Sequence, residues 1–176
     1  RIRHRTDTPG TPHNPDATTI QARTWRASAL PSSKIRPETI TYASWNVNGF
    51  NNRFESGELT QFINAHRPDV LCLTETRLGA GGVRDPWTTQ QTLTNMGYSH
   101  IVWHGNVSKP QDHGIMVATK LNAVAITVGT GNAVVDTEGR VITIEFDDHT
   151  AVLCHAPCTK FGENGHSPKR DNWTKA

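Results

Sequence analysis

A short unbroken apolar run, VLCL at 70–73, most limits what this chain can become. Four apolar side chains in a row cannot alternate between core and water, so the run suits a strand covered on both faces. Pro68 stands just before it and closes a helical pattern. In that pattern Ser56 is a suitable N-cap, and Leu59, Phe62 and Ile63 fall on one face of a helix reaching about His66. Upstream, ITYASWNV at 40–47 alternates, is rich in β-formers and breaks at the turn signal Asn48-Gly49. Asp85-Pro86 reads as a cap followed by a first-turn proline, which predicts a second helix over about 87–96, ending at Gly97. The pattern then turns to strands, near 98–104, 113–119, 123–128, 140–146 and 150–156, with Gly105, Asn122, Gly129, Gly131, Gly139 and Asp147-Asp148 between them. Strand, helix, strand and then a meander imply a mixed sheet packed in layers with helices.

The chain of 176 residues is long enough for one domain with its own core. Residues 1–38 are rich in Pro, Thr, Ser and Arg and lack a hydrophobic period, so they read as an extended arm rather than a folded unit. The net charge of +2 is uneven: residues 1–40 hold seven Lys/Arg against three acids, residues 160–176 four against two, and the middle seven against eleven. A basic arm on a mildly acidic core suits contact with a polyanion; a solvated terminus and an organelle presequence are the other readings. No run approaches the ~18 apolar residues of a membrane span, so no membrane partner is expected. Cys72 and Cys154 lie in apolar runs, and the odd count with Cys158 argues against a disulfide framework.

Glu75 stands where the buried strand opens into a loop. A carboxylate there is partly desolvated yet reachable, which suits a hard dication such as Mg²⁺. The competing reading is a surface ion pair with Arg77. Asn46 ends the other strand, and its amide can both donate and accept; it either orients a metal ligand or caps the Asn48-Gly49 bend. Trp45 reads better as core packing than as a base-stacking platform, and His104 and His113 as loop histidines without a special role. Cys154-His155-Ala156-Pro157-Cys158 has the look of a metal knot. Strand alternation, however, sends Cys154 and His155 to opposite faces, and no second ligand pair is near, which argues against zinc there.

Taken in order, the local signatures resemble one family. SWNVNGF (44–50) and RPDVLCLTETRL (67–78) are similar to the opening motifs of exonuclease III and apurinic/apyrimidinic endonucleases, in the endonuclease/exonuclease/phosphatase superfamily. GYSHIVWHG (97–105), HGIMVATK (113–120), DTEGRVITIEF (136–146) and AVLCHAP (151–157) follow in the family's order, so the resemblance covers about 44–157. It implies an α/β (α+β) fold over 40–176: half of a four-layer α/β-sandwich of the DNase I-like type, a mixed, mostly antiparallel sheet with flanking helices. It also implies a nuclease of abasic-site or exonuclease III type, dependent on Mg²⁺ or Mn²⁺ and acting on DNA or RNA inside the cell, in nucleus or organelle. By that resemblance Asn46 and Glu75 are the catalytic and metal-holding residues. Asn48, His155 and Lys160 lie on the substrate side.

Two departures stand out. His155 replaces the family's usual tyrosine, and Cys158-Thr159-Lys160 replaces its Asn or Gln. The family's later Gly-Asp-x-Asn and Ser-Asp-His segments have no counterpart in 1–176. A half-sandwich exposes an apolar face, so a partner chain covering that face is expected, the other reading being that the second half is omitted from the given sequence. The alternative is a non-catalytic half-domain serving as a structural subunit of a larger, ribonucleoprotein-like assembly.

Overall fold

The computed structural model describes residues 23–26, 39–79 and 81–157. The strands are β1 (Arg23–Arg26), β2 (Tyr42–Asn46), β3 (Val70–Thr74), β4 (His100–His104), β5 (Ile115–Thr119), β6 (Ala125–Val128), β7 (Val141–Glu145) and β8 (Thr150–Cys154). The helices are α1 (Phe50–Glu55), α2 (Glu58–His66), α3 (Pro86–Asn95) and the short α4 (Ala133–Asp136). Among the described residues the strands build two four-stranded sheets, ordered β2-β3-β5-β4 and β1-β6-β7-β8. β2 and β3 run parallel, and the other pairings are antiparallel.

The apolar run 70–73 explains the layering. Leu71 and Leu73 join Met116, Ala118, Leu59, Ile63, Phe50 and Leu93 in a core between the first sheet and its helices. Val70 and Cys72, one residue out of phase, join Ile115, Val117, Ile126, Ile142, Ile144 and Phe146 between the two sheets. Every residue of β3 is buried, because period-two alternation feeds two different cores. Helices, sheet and sheet are three layers of the four-layer sandwich, seen among the described residues.

Several elements differ from the sequence reading. The helix read from Ser56 to about His66 is α2, but it is entered from Gly57, and a further helix, α1, precedes it. Phe50 and Phe54 stack at 5.6 Å in α1, Ser56 is the C-cap of α1, and Gly57 at φ 79 lets the chain break and restart as α2. Within the extended arm, Arg23–Arg26 is a strand, paired antiparallel with β6; the remainder of the arm lies outside the described residues. α4 has no expectation to match, being one turn capped by the Asn132 side chain. The second helix follows the reading closely, with the Asp85 carboxylate accepting from Thr88 N at 3.0 Å and Pro86 in its first turn.

The inter-sheet core is open along one side. Among the described residues β2 pairs only with β3, and β8 only with β7. Tyr42, Ser44 and Asn46 share the inter-sheet face of β2 with Val70 and Cys72 in register beside them, yet all three are exposed. On β8, Ala151 and Leu153 pack on that core but are only partly buried, while Val152, on the outer face of the second sheet, is 63% exposed. The two strands sit near each other at this mouth, where the Tyr42 hydroxyl and His149 Nε2 are 2.5 Å apart.

Candidate active site

The site lies at the end of β3, where three loops are clasped by main-chain hydrogen bonds. Gly49 N donates to Glu75 O at 2.8 Å and Phe50 N to Thr76 O at 2.8 Å. Thr76 N donates to Gly114 O at 3.2 Å and Arg77 N to His113 O at 2.7 Å. Asn48, Glu75, Arg77 and His113 all have left-handed backbones, with φ of 47, 53, 54 and 55°. Such positions store about 1–3 kcal/mol each in residues other than glycine and persist where the surroundings over-determine them. Gly114 (φ +85) is required here as well, since a Cβ would come within 2.5 Å of Thr76 Oγ1.

This backbone turns Glu75 toward two histidines rather than toward Arg77. His113 Nδ1 is 3.2 Å from Glu75 Oε1, and His155 Nε2 is 3.6 Å from the same oxygen. The imidazole centroids are 6.2 Å apart, inclined at 62°. All three side chains are partly buried, at 21, 26 and 21% exposure for Glu75, His113 and His155. His155 is held from behind: its N–H donates to Arg140 O at 2.9 Å, and Arg140 Nη1 donates to its carbonyl at 2.9 Å. Arg140 is buried and paired with Glu138 at 2.6 Å. Burial, then the Arg140 charge, and last His113 hold the His155 pKa below the usual histidine value, against an opposing pull from Glu75. His155 therefore stays a neutral imidazole to lower pH than a free histidine.

The other sequence candidates fall as follows. Asn46 is in register with Thr74, one residue from Glu75, and its Oδ1 accepts from Asn48 N at 3.2 Å. That is the bend-capping use the sequence left open; it leaves the amide nitrogen of Asn46 free of that contact. Asn48 makes the turn itself. Lys160 lies outside the described residues. Trp45 stacks on Phe62 at 4.8 Å and belongs to the helix-side core. His104 is buried and bonded to Val141 O at 3.2 Å, a structural use. His113 is the residue the sequence reading missed. It sits two positions before β5, and antiparallel pairing of β5 with β3 swings it beside Glu75.

A carboxylate and two imidazoles that converge within 4.8 Å can hold a metal ion. Over residues 43–174 the sequence matches the model of the endonuclease/exonuclease/phosphatase family. The chain belongs to this family. It is 34% identical over 129 residues to a DNA-(apurinic or apyrimidinic site) endonuclease of Dictyostelium discoideum, covering 73% of this chain and 33% of that protein. It is 31% identical over 129 residues to the DNA repair nuclease APEX1 of Danio rerio, covering 73% and 39%. In fold it is similar to an AP endonuclease from Archaeoglobus fulgidus, with a TM-score of 0.60 and 19% identity over 78% of this chain and 48% of that one. The chain thus spans between a third and a half of the length of these relatives. The fold is DNase I-like, and the family is generally metal-dependent. No helix among the described residues is long and apolar enough to cross a membrane.

Proposed function

We propose that this chain is the metal-holding half of an intracellular phosphodiesterase that cuts nucleic acid, with DNA carrying an abasic site as substrate. The observation that carries the proposal is Glu75: a partly buried carboxylate, set by a left-handed backbone at the end of the central strand, in a chain related to abasic-site endonucleases. When bound, a divalent ion, Mg²⁺ or Mn²⁺, would neutralise charge on the phosphate and on the departing oxygen. Glu75 would hold the ion, with Asn46 beside it and Asn48 in support through water. His155, neutral and braced by Arg140, offers a ring nitrogen to the substrate side, as Lys160 offers a charge. The nucleus or a DNA-bearing organelle is the matching compartment.

The open mouth between β2 and β8 supports a further polypeptide covering the inter-sheet core, because two strand edges unpaired among the described residues, over an apolar interior, invite strand addition. The same observation favours the second reading, a non-catalytic building block within a larger ribonucleoprotein-like assembly. Cleavage of an abasic-site duplex separates the two. The full chain, isolated with any polypeptide it carries, is assayed with and without Mg²⁺ or Mn²⁺ beside Glu75→Gln. Metal-dependent cutting lost in Glu75→Gln is the expected result. Cutting that survives the substitution overturns the role of Glu75, and an inert complex supports the building block.

A further inference from the structure

We propose that Glu75, His113 and His155 form a nitrogen-rich three-ligand site that selects Zn²⁺ or a similar first-row transition ion over Mg²⁺. The proposal deepens the reading that Glu75 holds the metal and rests on it. It changes the ligands: two imidazoles take the places that an oxygen-only site would give to an amide and water.

Three observations carry it. The first is spacing. Four-coordinate Zn²⁺ with bonds of about 2.0–2.1 Å sets neighbouring ligand atoms about 3.3–3.4 Å apart. The two distances from Glu75 Oε1, 3.2 Å to His113 Nδ1 and 3.6 Å to His155 Nε2, bracket that edge. The second is convergence. A nitrogen at 3.6 Å is beyond a hydrogen bond, so the aim of His155 at Glu75 is not accounted for by a bond between them. The three ligand atoms lie within 4.8 Å of one another, close enough to be offered to one ion. The third is support. Hydrogen bonds from Arg77 N to His113 O, from His155 N to Arg140 O and from Arg140 Nη1 to His155 O fix both backbones, and the left-handed φ of Glu75 and His113 is retained against its strain.

Donor chemistry gives the direction of selection. Mg²⁺ prefers six oxygen ligands and gives up its waters reluctantly. Imidazole suits zinc, cobalt and their neighbours, and three protein ligands leave a fourth position for water or a phosphate oxygen. One contact opposes the site. A metal on His155 Nε2 leaves the ring hydrogen on Nδ1, which lies 3.4 Å from Arg140 Nη1. Nη1 already donates to the His155 carbonyl at 2.9 Å, and Glu138 balances its charge at 2.6 Å, so the contact weakens the site without closing it.

Co²⁺ is the probe, because its visible d–d absorption reports coordination without any substrate. The metal-free full chain is titrated with Co²⁺ after Cys154 and Cys158 are changed to serine, which removes thiolate binding. Expected are intense bands of low-coordinate Co²⁺, bleached by one equivalent of Zn²⁺ and untouched by a large excess of Mg²⁺. His113→Asn, which tolerates the left-handed backbone, and His155→Phe should each weaken Co²⁺ binding by more than the ~10–100-fold that follows loss of a supporting partner. Circular dichroism and a thermal melt establish that both variants fold. Bands that persist unchanged in both folded variants, or that Mg²⁺ bleaches as readily as Zn²⁺, overturn the proposal. The nuclease reading is judged separately by cleavage in Glu75→Gln, so either can fail alone.

Discussion

The two cores that share β3 are finished to different degrees. On the helix side, Leu71, Leu73 and Met116 are sealed beneath Phe50, Leu59 and Leu93, and each of these side chains is at most 2% exposed. Between the sheets the interior is equally apolar at its centre, with Ile115 and Ile142 fully buried. At the β2–β8 mouth, however, it runs out into exposed Tyr42, Ser44 and Asn46. The candidate site lies where the closed region gives way to the open one. A sealed core provides the stiffness that can hold strained backbones at Asn48, Glu75, Arg77 and His113; an open mouth leaves their side chains reachable.

The largest effect should come from breaching the sealed core. Leu73→Ala removes a side chain 2% exposed and should destabilise the fold by about 2–5 kcal/mol. Ser44→Ala, exposed on the inter-sheet face of β2 at the mouth, should fall within about 0.5 kcal/mol of the parent chain. Urea unfolding of both variants measures the contrast. Similar losses at the two positions would break it, by showing that the mouth is packed in solution.

A smaller loss is expected at the boundary. Gly114→Ala places a Cβ against Thr76 Oγ1 on a backbone with φ +85, and should lower stability by about 1–3 kcal/mol. Because Thr76 N bonds to Gly114 O, the strain passes directly into the loop that carries Glu75. Co²⁺ affinity should therefore fall in Gly114→Ala even under conditions where the chain stays folded. A variant that is destabilised yet binds Co²⁺ as the parent does would separate the fold from the site.

How far the sequence reached follows the same division. β3 was legible because a run with no polar residue has one strand reading, and Glu75 was legible because it is where that run meets a loop. α3 was legible from Asp85-Pro86. α1 was not: it follows directly on the Asn48-Gly49 turn signal, and Phe50 and Phe54, one helical turn apart, are its only apolar residues. The triad was less legible still. Glu75 and His113 are 38 positions apart in the chain, and only the register of β5 on β3 joins them. His155 depends in addition on how the second sheet lies on the first. Local pattern does not encode register, so His113 read as an idle loop residue. Asn46 remained ambiguous for another reason: one amide oxygen can serve a bend or a ligand, and here it serves the bend.

The finest contrast needs no change in stability at all. Cys72 lies on the inter-sheet face of β3 at 5% exposure, and burial pushes its thiol up to about 11. The Ser44 side chain, by hydrogen bonding, pulls the other way without offsetting this. At pH 8 a thiol of that strength is thiolate about one time in a thousand, and the thiolate is the reactive form. Cys154 is exposed on β8. With Cys158 replaced by serine, iodoacetamide at pH 8 should modify Cys154 readily and Cys72 only through opening of the core. Raising the pH toward 11 should speed the Cys72 reaction steeply. Peptide mass analysis over time reads both rates in one sample. Equal rates at pH 8 would mean that the mouth opens as far as β3 itself. In that case the line between the closed and open cores would have to be redrawn through the central strand, with Glu75 on its exposed side.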